Sequence, residues 1–371
     1  MGLGGRSGSQ THLRNRAAIL RGRIRSWGAD ALLITNFRDI RYLTGFVGDD
    51  SWALVPARSG RLVVISDFRF QEQIQREAPH VTALMRKWTL TETLAKLVER
   101  RGYTKIALQA EHVSLAQRKA LVNKLGAGRL IAVDDGLIQQ RSIKDSKEIA
   151  AIGRAIRVTE EAYRRTCPFI KPGVAERDLA AHLEFEMRRL GADGSAFPSI
   201  VAADANASLP HAIPGQRKIR AGGTVLFDWG AVVDGYCGDL TRVVALGAFK
   251  PAIRDIYQIV LAAQRAAIEA IGPGRQLKDV DQVARDLITK AGYGDRFGHG
   301  LGHGLGLEVH EQPMFSWRSK GNLEAGHVLT VEPGIYLPGL GGVRIEDDVL
   351  VTADGHRVLS RLPTDLESAI I

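Results

Sequence analysis

The chain has 371 residues, of which 45% are hydrophobic and 25% are charged, so it is long enough to form two globular domains. Its formal net charge is +9, but the basic residues are spread along the chain and no nucleic-acid-binding motif accompanies them. This distribution favours a solvated basic face over a functional basic patch, and we expect no nucleic-acid partner.

Cysteine usage and the first residues bear on the cellular compartment. Cys167 and Cys237 are the only cysteines, which excludes a disulfide framework and a thiolate zinc site and fits a reducing compartment. Residues 1–10 lack the apolar core of a signal peptide, and Arg6 occupies the Ser/Thr position of a myristoylation motif. No later run approaches the length of a membrane span. We therefore expect a cytoplasmic protein without a membrane partner.

The N-terminal part of the chain alternates helical and strand patterns. A helical pattern extends from about Thr11 to Gly28. Short apolar runs then predict four strands, at Ala31–Thr35, Leu62–Ser66, Lys105–Gln109 and Leu130–Val133. This alternation indicates an α/β domain, which we place at residues 13–138, after a flexible N-terminus at residues 1–12.

A polar stretch at Asp134–Lys147 marks a change of organisation, and we place a second domain at residues 139–371. Its helical patterns are predicted at Ser146–Thr166, from Pro172-Gly173 to about Leu190, at Ile253–Ile271 and at Leu277–Ala291. Antiparallel hairpins dominate the later part of the domain. Helices followed by hairpins predict an α+β domain, in contrast to a doubly wound one.

The first hairpin of this domain carries two aspartates. The segment Thr224–Val244 (TVLFDWGAVVDGYCGDLTRVV) has the two-residue turn signal Asp234-Gly235 at its centre. The turn sets a register that pairs Val233 with Tyr236, Gly230 with Asp239, and Asp228 with Thr241. Asp228 and Asp239 would share a sheet face at roughly 7–8 Å between Cα atoms, where they repel unless a cation lies between them. Two solvated carboxylates are the alternative, which the apolar run Val225–Phe227 disfavours.

The segment Phe297–Pro313 (FGHGLGHGLGLEVHEQP) carries His299, His303 and His310. Its five glycines, at alternate positions over 298–306, make a helix improbable. On a strand, His299 and His303 share a face, and His310 joins them only if the chain bends, which glycines allow. One histidine here could be a core residue, but three within twelve residues favour a functional cluster.

A second hairpin is predicted around the loop Pro338–Gly342. It would set Glu332 opposite Glu346-Asp347, and both glutamates lie in β-branched runs. Buried carboxylates need partners. A pairing with Arg344, or capping of the turn at Pro333-Gly334, is the alternative to a metal site.

Together the motifs supply a mixed oxygen and nitrogen ligand set, with one histidine and the carboxylates of Asp228, Asp239, Glu332 and Glu346. Such a set suits manganese, cobalt, zinc or iron. The negative charge is enough for two ions, and paired ions about 3.5–4 Å apart activate water and polarise a carbonyl group. The sequence therefore indicates metal-assisted peptide hydrolysis.

These motifs resemble the pita-bread metallopeptidase family, which includes methionine aminopeptidase, Xaa-Pro aminopeptidase and prolidase. The segment Ile34–Phe46 (ITNFRDIRYLTGF) is similar to the creatinase/prolidase N-terminal domain, which methionine aminopeptidases usually lack. The resemblance implies an α/β N-terminal domain and an α+β pita-bread C-terminal domain. It also implies two divalent metal ions per chain, with manganese favoured, together with peptide substrates and a homodimer.

The same resemblance implies roles for individual residues. The implied metal ligands are Asp228 on one ion, His303 on the other, Asp239 and Glu346 bridging both, and Glu332, which is also the general base. The implied substrate-side residues are His310 at the scissile carbonyl oxygen, His299 at the proline pocket and in proton transfer, and His211 (SLPHAIPG). Arg344 and Thr241 would orient the ligands.

One departure separates this chain from prolidases. Prolidases place an arginine directly after the proline of the VHExP segment to bind the carboxylate of a dipeptide, whereas here that position is Met314. The difference favours an Xaa-Pro aminopeptidase acting on longer peptides. The alternatives are a prolidase or another metallopeptidase of the same fold, and a non-catalytic interaction protein of this fold, although such proteins typically lack ligands that this chain retains.

Overall fold

The computed structural model describes residues 6–134 and 136–371. The chain divides into two compact units, one up to Gln140 and one from Arg141 to Ile371, close to the boundary expected after residue 138. The first helix begins at Arg6, earlier than predicted, because the polar residues before Thr11 carry no apolar periodicity that could reveal it. Of the N-terminus expected to be flexible, residues 6–12 are thus helical, and the residues before them lie outside the described part.

The first unit is an α/β domain. Its described helices are α1 (Arg6–Ser26), α2 (Phe37–Thr44), α3 (Gln71–Glu77), α4 (Leu90–Arg101) and α5 (Leu115–Leu125). Helix α6 (Ile138–Ser142) crosses the boundary between the units. Its strands are β1 (Ala31–Ile34), β2 (Trp52–Pro56), β3 (Val63–Ser66), β4 (Thr82–Met85), β5 (Ile106–Gln109) and β6 (Leu130–Val133). They form one mixed sheet in the order β4-β3-β2-β1-β5-β6, in which β2 is antiparallel to both of its neighbours.

The four strands predicted in this unit are present, and two others escaped prediction. Strand β2 is a short run that ends in proline, and β4 is an edge strand with partly exposed side chains, so neither shows a clear pattern. The central strand β1 is buried along its whole length, which is why it reads as a continuous apolar run. The α/β class predicted for this unit is confirmed.

The second unit begins with helices and continues mainly in hairpins. Its helices are α7 (Ser146–Thr166), α8 (Glu176–Arg189), α9 (Pro251–Glu269) and α10 (Leu277–Lys290). The strands between α8 and α9 are β7 (Gly194–Ser195), β8 (Ile200–Ala203), β9 (Thr224–Trp229), β10 (Ala231–Val233), β11 (Tyr236–Cys237) and β12 (Leu240–Ala245). Its later strands are β13 (Gly302–Gly304), β14 (Glu311–Phe315), β15 (Val328–Val331), β16 (Gly334–Leu337), β17 (Gly341–Arg344), β18 (Asp347–Val351) and β19 (His356–Val358).

Local sequence signals and apolar faces explain the helices of this unit. The Asp145 side chain accepts hydrogen bonds at the start of α7, and Glu148 completes the capping box. Apolar side chains at helical spacing on α9 and α10, such as Val260 and Val280, are fully buried in a core that includes Leu329 of β15. None of the described helices is both long and apolar enough to cross a membrane.

The two hairpins have the predicted registers. In the first, Val233 pairs with Tyr236 and Asp228 pairs with Thr241, all in antiparallel strands. In the second, the pairs are Val331 with Asp347 and Gly334 with Arg344, and this common register sets Glu332 directly opposite Glu346. The strands of the unit form the orders β12-β9-β8, β11-β10-β7, β14-β13-β15-β18-β19 and β16-β17. The α+β class predicted for this unit is confirmed.

Candidate metal centre

The expected metal ligands come from strands and strand ends of the second unit. They are Asp228 in β9, Asp239 just before β12, His303 in β13, Glu332 just after β15 and Glu346 just before β18. All of them line a single cavity of about 760 Å³. The same cavity is lined by the other expected site residues His211, His299, His310 and Arg344. Thr241 is outside this lining, and its side chain contacts the expected ligand Glu346.

Three of these side chains form a tight group. Asp239, His303 and Glu346 are buried, and each offers a ligand atom within 4.8 Å of the others. Glu332 adjoins the group, because its Oε1 lies 3.3 Å from Nε2 of His303. Asp228 lies outside the tight group and forms an ion pair with Arg344. Asp239, His303 and Glu346 therefore form one candidate metal site, and Glu332 and Asp228 line the same cavity.

The hydrogen bonds of His303 test whether this donor set suits a cation. Its Nδ1 lies 3.1 Å from the carbonyl oxygen of Gly304, which only accepts, so the network assigns the proton to Nδ1. Nε2 then faces Oδ2 of Asp239 at 3.7 Å and Oε1 of Glu332 at 3.3 Å. Ionised carboxylates also only accept hydrogen bonds. A proton on Nε2 or a bound cation satisfies these groups, and the surrounding carboxylates favour the higher charge of a divalent cation.

The carboxylates of the site oppose one another electrostatically. Burial, followed by the charges of Glu346 and Asp228, raises the pKa of Asp239 well above its usual value. Burial, followed by Glu332 and Asp228, does the same to the pKa of Glu346. For Glu332 burial acts in the same direction, but the hydrogen bond and charge of His303 outweigh it and lower its pKa to about 2. A divalent cation would relieve this like-charge cluster, so the residues present fit a metal centre.

Thr241 and Arg344 hold the ligands in place. Oγ1 of Thr241 donates to Oε2 of Glu346 at 2.7 Å, and Nε of Arg344 donates to the same Oγ1 at 3.1 Å. The guanidinium group of Arg344 also donates to Asp228, whereas its distance to Glu332 is 4.0 Å. These contacts hold Glu346 and Asp228 directly, whereas Arg344 approaches Glu332 only at the outer limit of an ion pair.

A hydrogen-bonded chain joins His299 to Asp228 through Tyr336, a residue that the sequence analysis missed. Nδ1 of His299 lies 2.8 Å from the carbonyl oxygen of Gly300 and therefore donates, so Nε2 accepts from the Tyr336 hydroxyl at 2.9 Å. That hydroxyl accepts from Nη1 of Arg344 at 2.9 Å. Tyr336 lies four positions after the expected ligand Glu332. Because side chains alternate between the faces of a strand, this even spacing could have indicated that Tyr336 points to the same side as Glu332.

A charged pair on α10 clamps the glycine-rich histidine segment. Asp281 is fully buried, and Arg285 donates to it through Nε at 3.0 Å and Nη2 at 3.1 Å. Oδ1 of Asp281 accepts from the backbone N–H of Leu301 at 3.0 Å. Arg285 donates to the carbonyl oxygens of Phe297 and His299, each at 2.9 Å. In sequence this pair is indistinguishable from an ordinary helix-surface ion pair, so it was not predicted.

The histidine segment departs from the predicted strand. Strand β13 begins only at Gly302, so His299 precedes it and does not share a strand face with His303. The pairing of β13 with β14 shifts register between His303 and Gly304, which supplies the predicted irregularity. The ring of His310 lies at 4.3 Å between centroids from the ring of His303. Burial, followed by the charge of His303, lowers the pKa of His310.

The loop that carries His211 is held by a buried glutamate. Glu176, the first residue of α8, is fully buried and accepts from the backbone N–H of Ala203 at 2.7 Å. It also accepts from the side chain of Asn206 at 2.9 Å and from the backbone N–H of Gly215 at 3.1 Å. These three donors flank His211 in sequence, so one carboxylate fixes both ends of the loop.

Two glycines allow strands to approach each other next to ligands. A Cβ atom at Gly230 would lie 2.0 Å from the carbonyl oxygen of Gly238, so backbone occupies the space beside Gly230. A Cβ atom at Gly302 would lie 2.1 Å from the carbonyl oxygen of Thr330. Any larger residue at either position would displace the adjoining strand and the ligand that it carries.

Comparisons with known proteins agree with this geometry. Residues 150–353 match the model of metallopeptidase family M24, and residues 16–143 match that of the creatinase/prolidase N-terminal domain. The chain is 39% identical over 339 residues to the uncharacterized peptidase YqhT of Bacillus subtilis. The aligned region covers 91% of this chain and 96% of the relative.

Solved structures are similar along nearly the whole chain. The Xaa-Pro dipeptidase from Bacillus anthracis is 35% identical, with a TM-score of 0.92 and coverage of 97% of this chain and 100% of that one. The X-Pro aminopeptidase from Thermotoga maritima is 37% identical, with a TM-score of 0.87 and coverage of 94% and 99%. The prolidase from Pyrococcus horikoshii is 31% identical, with a TM-score of 0.89 and coverage of 95% and 99%. The chain therefore belongs to metallopeptidase family M24 and consists of a creatinase-type N-terminal domain followed by a pita-bread domain.

Proposed function

We propose that this protein is an Xaa-Pro aminopeptidase that uses two divalent metal ions, with manganese favoured, to release the first residue of peptides longer than two residues. The observation that carries the proposal is the absence of a free cationic side chain in the cavity. Among the described residues that line it, Arg344 is the only arginine and no lysine occurs. Arg344 is buried and bound to Asp228 and Tyr336, so it is not free to bind a carboxylate.

The position of Met314 supports this proposal. Met314 lines the cavity and is the cross-strand partner of His303, so it lies close to the metal ligands. A dipeptide bound for hydrolysis carries its C-terminal carboxylate one residue beyond the scissile bond, in the same cavity. Without an arginine that carboxylate is buried without a bidentate partner, which is costly. In a longer peptide, an uncharged amide group takes the place of this carboxylate after the proline.

The mechanism follows from the residues around the cavity. Divalent ions held by the five ligands would activate water and polarise the scissile carbonyl group. Glu332 would accept the proton of the attacking water, and His310 would donate a hydrogen bond to the carbonyl oxygen as negative charge develops on it. His299 would assist transfer of a proton to the proline nitrogen. Burial lowers the pKa of His299, which favours the neutral form of its ring.

The apolar walls of the cavity suit a proline ring. The apolar side chains that line it include Phe197, Ile200, Ile213, Val309, Met314 and Phe315. His211 lies on the same wall, in the loop fixed by Glu176, where it would contact the substrate. These side chains offer contact area without requiring a hydrogen-bond donor from the substrate, which suits a residue whose nitrogen carries no hydrogen within a peptide.

A prolidase is the second candidate, because two of the similar solved structures are described as a dipeptidase and a prolidase. The manganese-loaded protein should be assayed with an Xaa-Pro dipeptide and with the tripeptide that extends it by one residue. The aminopeptidase proposal predicts hydrolysis of the tripeptide with a higher kcat/KM. Hydrolysis of the dipeptide alone would replace it with the prolidase assignment.

Substitution of Met314 by arginine tests the same point within the chain. We expect M314R to raise kcat/KM for the dipeptide by about 10- to 100-fold, mainly through KM, because a charge-assisted bond to the carboxylate is gained. The side chain at this position is 38% exposed, so the longer arginine can be accommodated. The matched control M314Q adds polarity without charge. An equal rise in M314Q would show that the charge is not the cause.

The clamp on α10 gives a further prediction. R285K keeps the charge but loses the planar fork that reaches Asp281 and two backbone carbonyls, so the segment bearing His299 loosens. We expect kcat to fall about ten-fold or more, because small displacements of reacting groups are costly. Metal content should be unchanged, and Trp317 fluorescence should shift because the guanidinium lies 4.6 Å from its ring centroid.

The matched control for this change is R296K, at an exposed arginine just before the same segment. Its kcat should equal that of the unsubstituted protein. A loss of metal in R285K equal to its loss of activity would contradict a role through His299.

Other features expected from the sequence stay predictions. The non-catalytic alternative requires loss of metal binding, and metal analysis of the purified protein after incubation with manganese decides it. The homodimer is checked by light scattering coupled to size-exclusion chromatography, and the cytoplasmic location by cell fractionation.

A further inference from the structure

The first unit contains a cavity of its own, unrelated in residues to the metal centre. Its volume is about 420 Å³. Arg14 and Arg21, two turns apart on one face of α1, line it together with Arg61 just before β3 and His80 just before β4. Leu43 of α2 adds a buried apolar wall. Four nitrogen-bearing side chains from three separate segments therefore converge on one small space.

Several polar atoms of this cavity are buried without a partner. Both ring nitrogens of His80 and Nε of Arg21 are inaccessible and make no hydrogen bond. Nη2 of Arg21 donates to the carbonyl oxygen of Gly60, which fixes the guanidinium group against the cavity. Native proteins rarely leave buried polar groups unsatisfied, and each such group calls for an explanation. A polar ligand bound in the cavity is one explanation for the missing hydrogen bonds of all these atoms.

The charges of the cavity are also uncompensated. Within residues 6–134 and 136–371, no carboxylate forms an ion pair with Arg14, Arg21 or Arg61. Burial, followed by the charges of Arg14 and Arg61, lowers the pKa of His80, so its ring is neutral and offers one donor and one acceptor. Three guanidinium groups around one cavity create a positive potential that favours an anion among them.

We propose that this cavity binds an oxyanion of the phosphate class. A dianionic phosphate group presents several acceptor oxygens to three planar guanidinium groups, a geometry in which arginine binds with two parallel hydrogen bonds. A carboxylate carries one charge and two oxygens, so it satisfies fewer of these donors. The cavity is larger than a free phosphate ion, which leaves room for the organic part of a phosphate ester beside Leu43.

Calorimetric titration of the full-length protein at constant ionic strength tests the proposal. The ligands are inorganic phosphate, phenyl phosphate and acetate. We expect saturable binding of a phosphate ligand and much weaker binding of acetate. Tighter binding of phenyl phosphate would identify an ester as the ligand class, and tighter binding of inorganic phosphate would identify the free ion. Equal binding of acetate would overturn the proposal.

Substitutions distinguish phosphate binding in this cavity from phosphate binding elsewhere on the protein, including the metal centre. R14Q and R61Q change exposed side chains and should each weaken phosphate binding about ten-fold or more. The matched control R118Q removes an exposed arginine on α5 that lies outside the cavity, and its affinity should be unchanged. Equal weakening by R118Q would show adsorption driven by net charge alone.

A spectroscopic readout reports on the cavity directly. The imidazole resonances of His80 should shift saturably as phosphate is added, with the affinity found by calorimetry. H80L removes the two unpartnered nitrogens, so it should weaken binding without lowering the melting temperature of the ligand-free protein. Unchanged affinity in H80L, with unshifted resonances in the unsubstituted protein, would place the anion elsewhere. Because no peptide is hydrolysed in these measurements, their failure leaves the proposed peptidase function untouched.

Discussion

Replacement of Glu332 by glutamine is expected to lower kcat by about 10²- to 10⁴-fold, the range of a lost general base. The carboxylate of Glu332 is the member of the ligand cluster that faces both His303 and the open cavity, with 17% of its side chain exposed. The side chain of Asp239 is only 6% exposed and is enclosed by other ligands. A group that takes a proton from attacking water must be reachable from the substrate, and Glu332 meets that condition.

The measurement must separate base chemistry from metal loss. Metal content and kcat are determined on the same E332Q sample at saturating manganese, because glutamine keeps one ligand oxygen but cannot take the proton. The matched control is E269Q at the exposed end of α9, for which no change is expected. If E332Q retains its metal and loses less than about two-fold in kcat, far below the range for a general base, the role belongs to another group.

The paired carboxylates could be predicted because hairpin geometry is local. The Asp234-Gly235 turn fixes the register of the first hairpin, and strand alternation then determines which face each aspartate occupies. The same reasoning set Glu332 opposite the Glu346-Asp347 region across a longer loop, and the observed registers of both hairpins agree with these predictions. Convergence of the two hairpins with the histidine segment was inferred from their combined ligand chemistry and from the family resemblance, because no local register fixes it.

What the sequence could not reveal depends on contacts between distant segments. The Asp281–Arg285 pair on α10 contacts the backbone of Phe297 and Leu301, and backbone acceptors leave no trace in residue identity. Tyr336 could be assigned to the correct side of its strand, but not to a bond with His299. The cavity of the first unit likewise joins three segments, whose arginines and histidine resemble ordinary surface residues in the sequence.

D239N is expected to change the stability of the protein differently with and without bound metal. In the metal-free protein Asp239 is buried beside Glu346 and Asp228, and these carboxylates raise its pKa after burial. Asparagine has nearly the same shape and no charge, so repulsion falls. We expect the free energy of unfolding of the metal-free protein to be equal or higher in D239N.

With manganese the order should reverse. A ligand that binds only the native state stabilises it by about 2.7 kcal/mol when its concentration is 100 times Kd. D239N removes the carboxylate expected to bridge both ions, so Kd rises and the gain shrinks. Melting temperatures in chelator and in saturating manganese, with metal content measured in parallel, check both halves. The control D255N, at an exposed position on α9, should gain as much as the unsubstituted protein.

The order of stability of D239N and the unsubstituted protein should reverse between chelator and manganese, and other causes predict no such reversal. A substitution that merely damaged packing would lower the melting temperature under both conditions. A substitution at a solvated carboxylate would change neither value. If Asp239 is a buried ligand, its charge destabilises the metal-free protein and stabilises the metal-bound protein. Only this hypothesis predicts that D239N is at least as stable as the unsubstituted protein in chelator and less stable in manganese. An equal rise in melting temperature with manganese in both proteins would exclude Asp239 as a ligand.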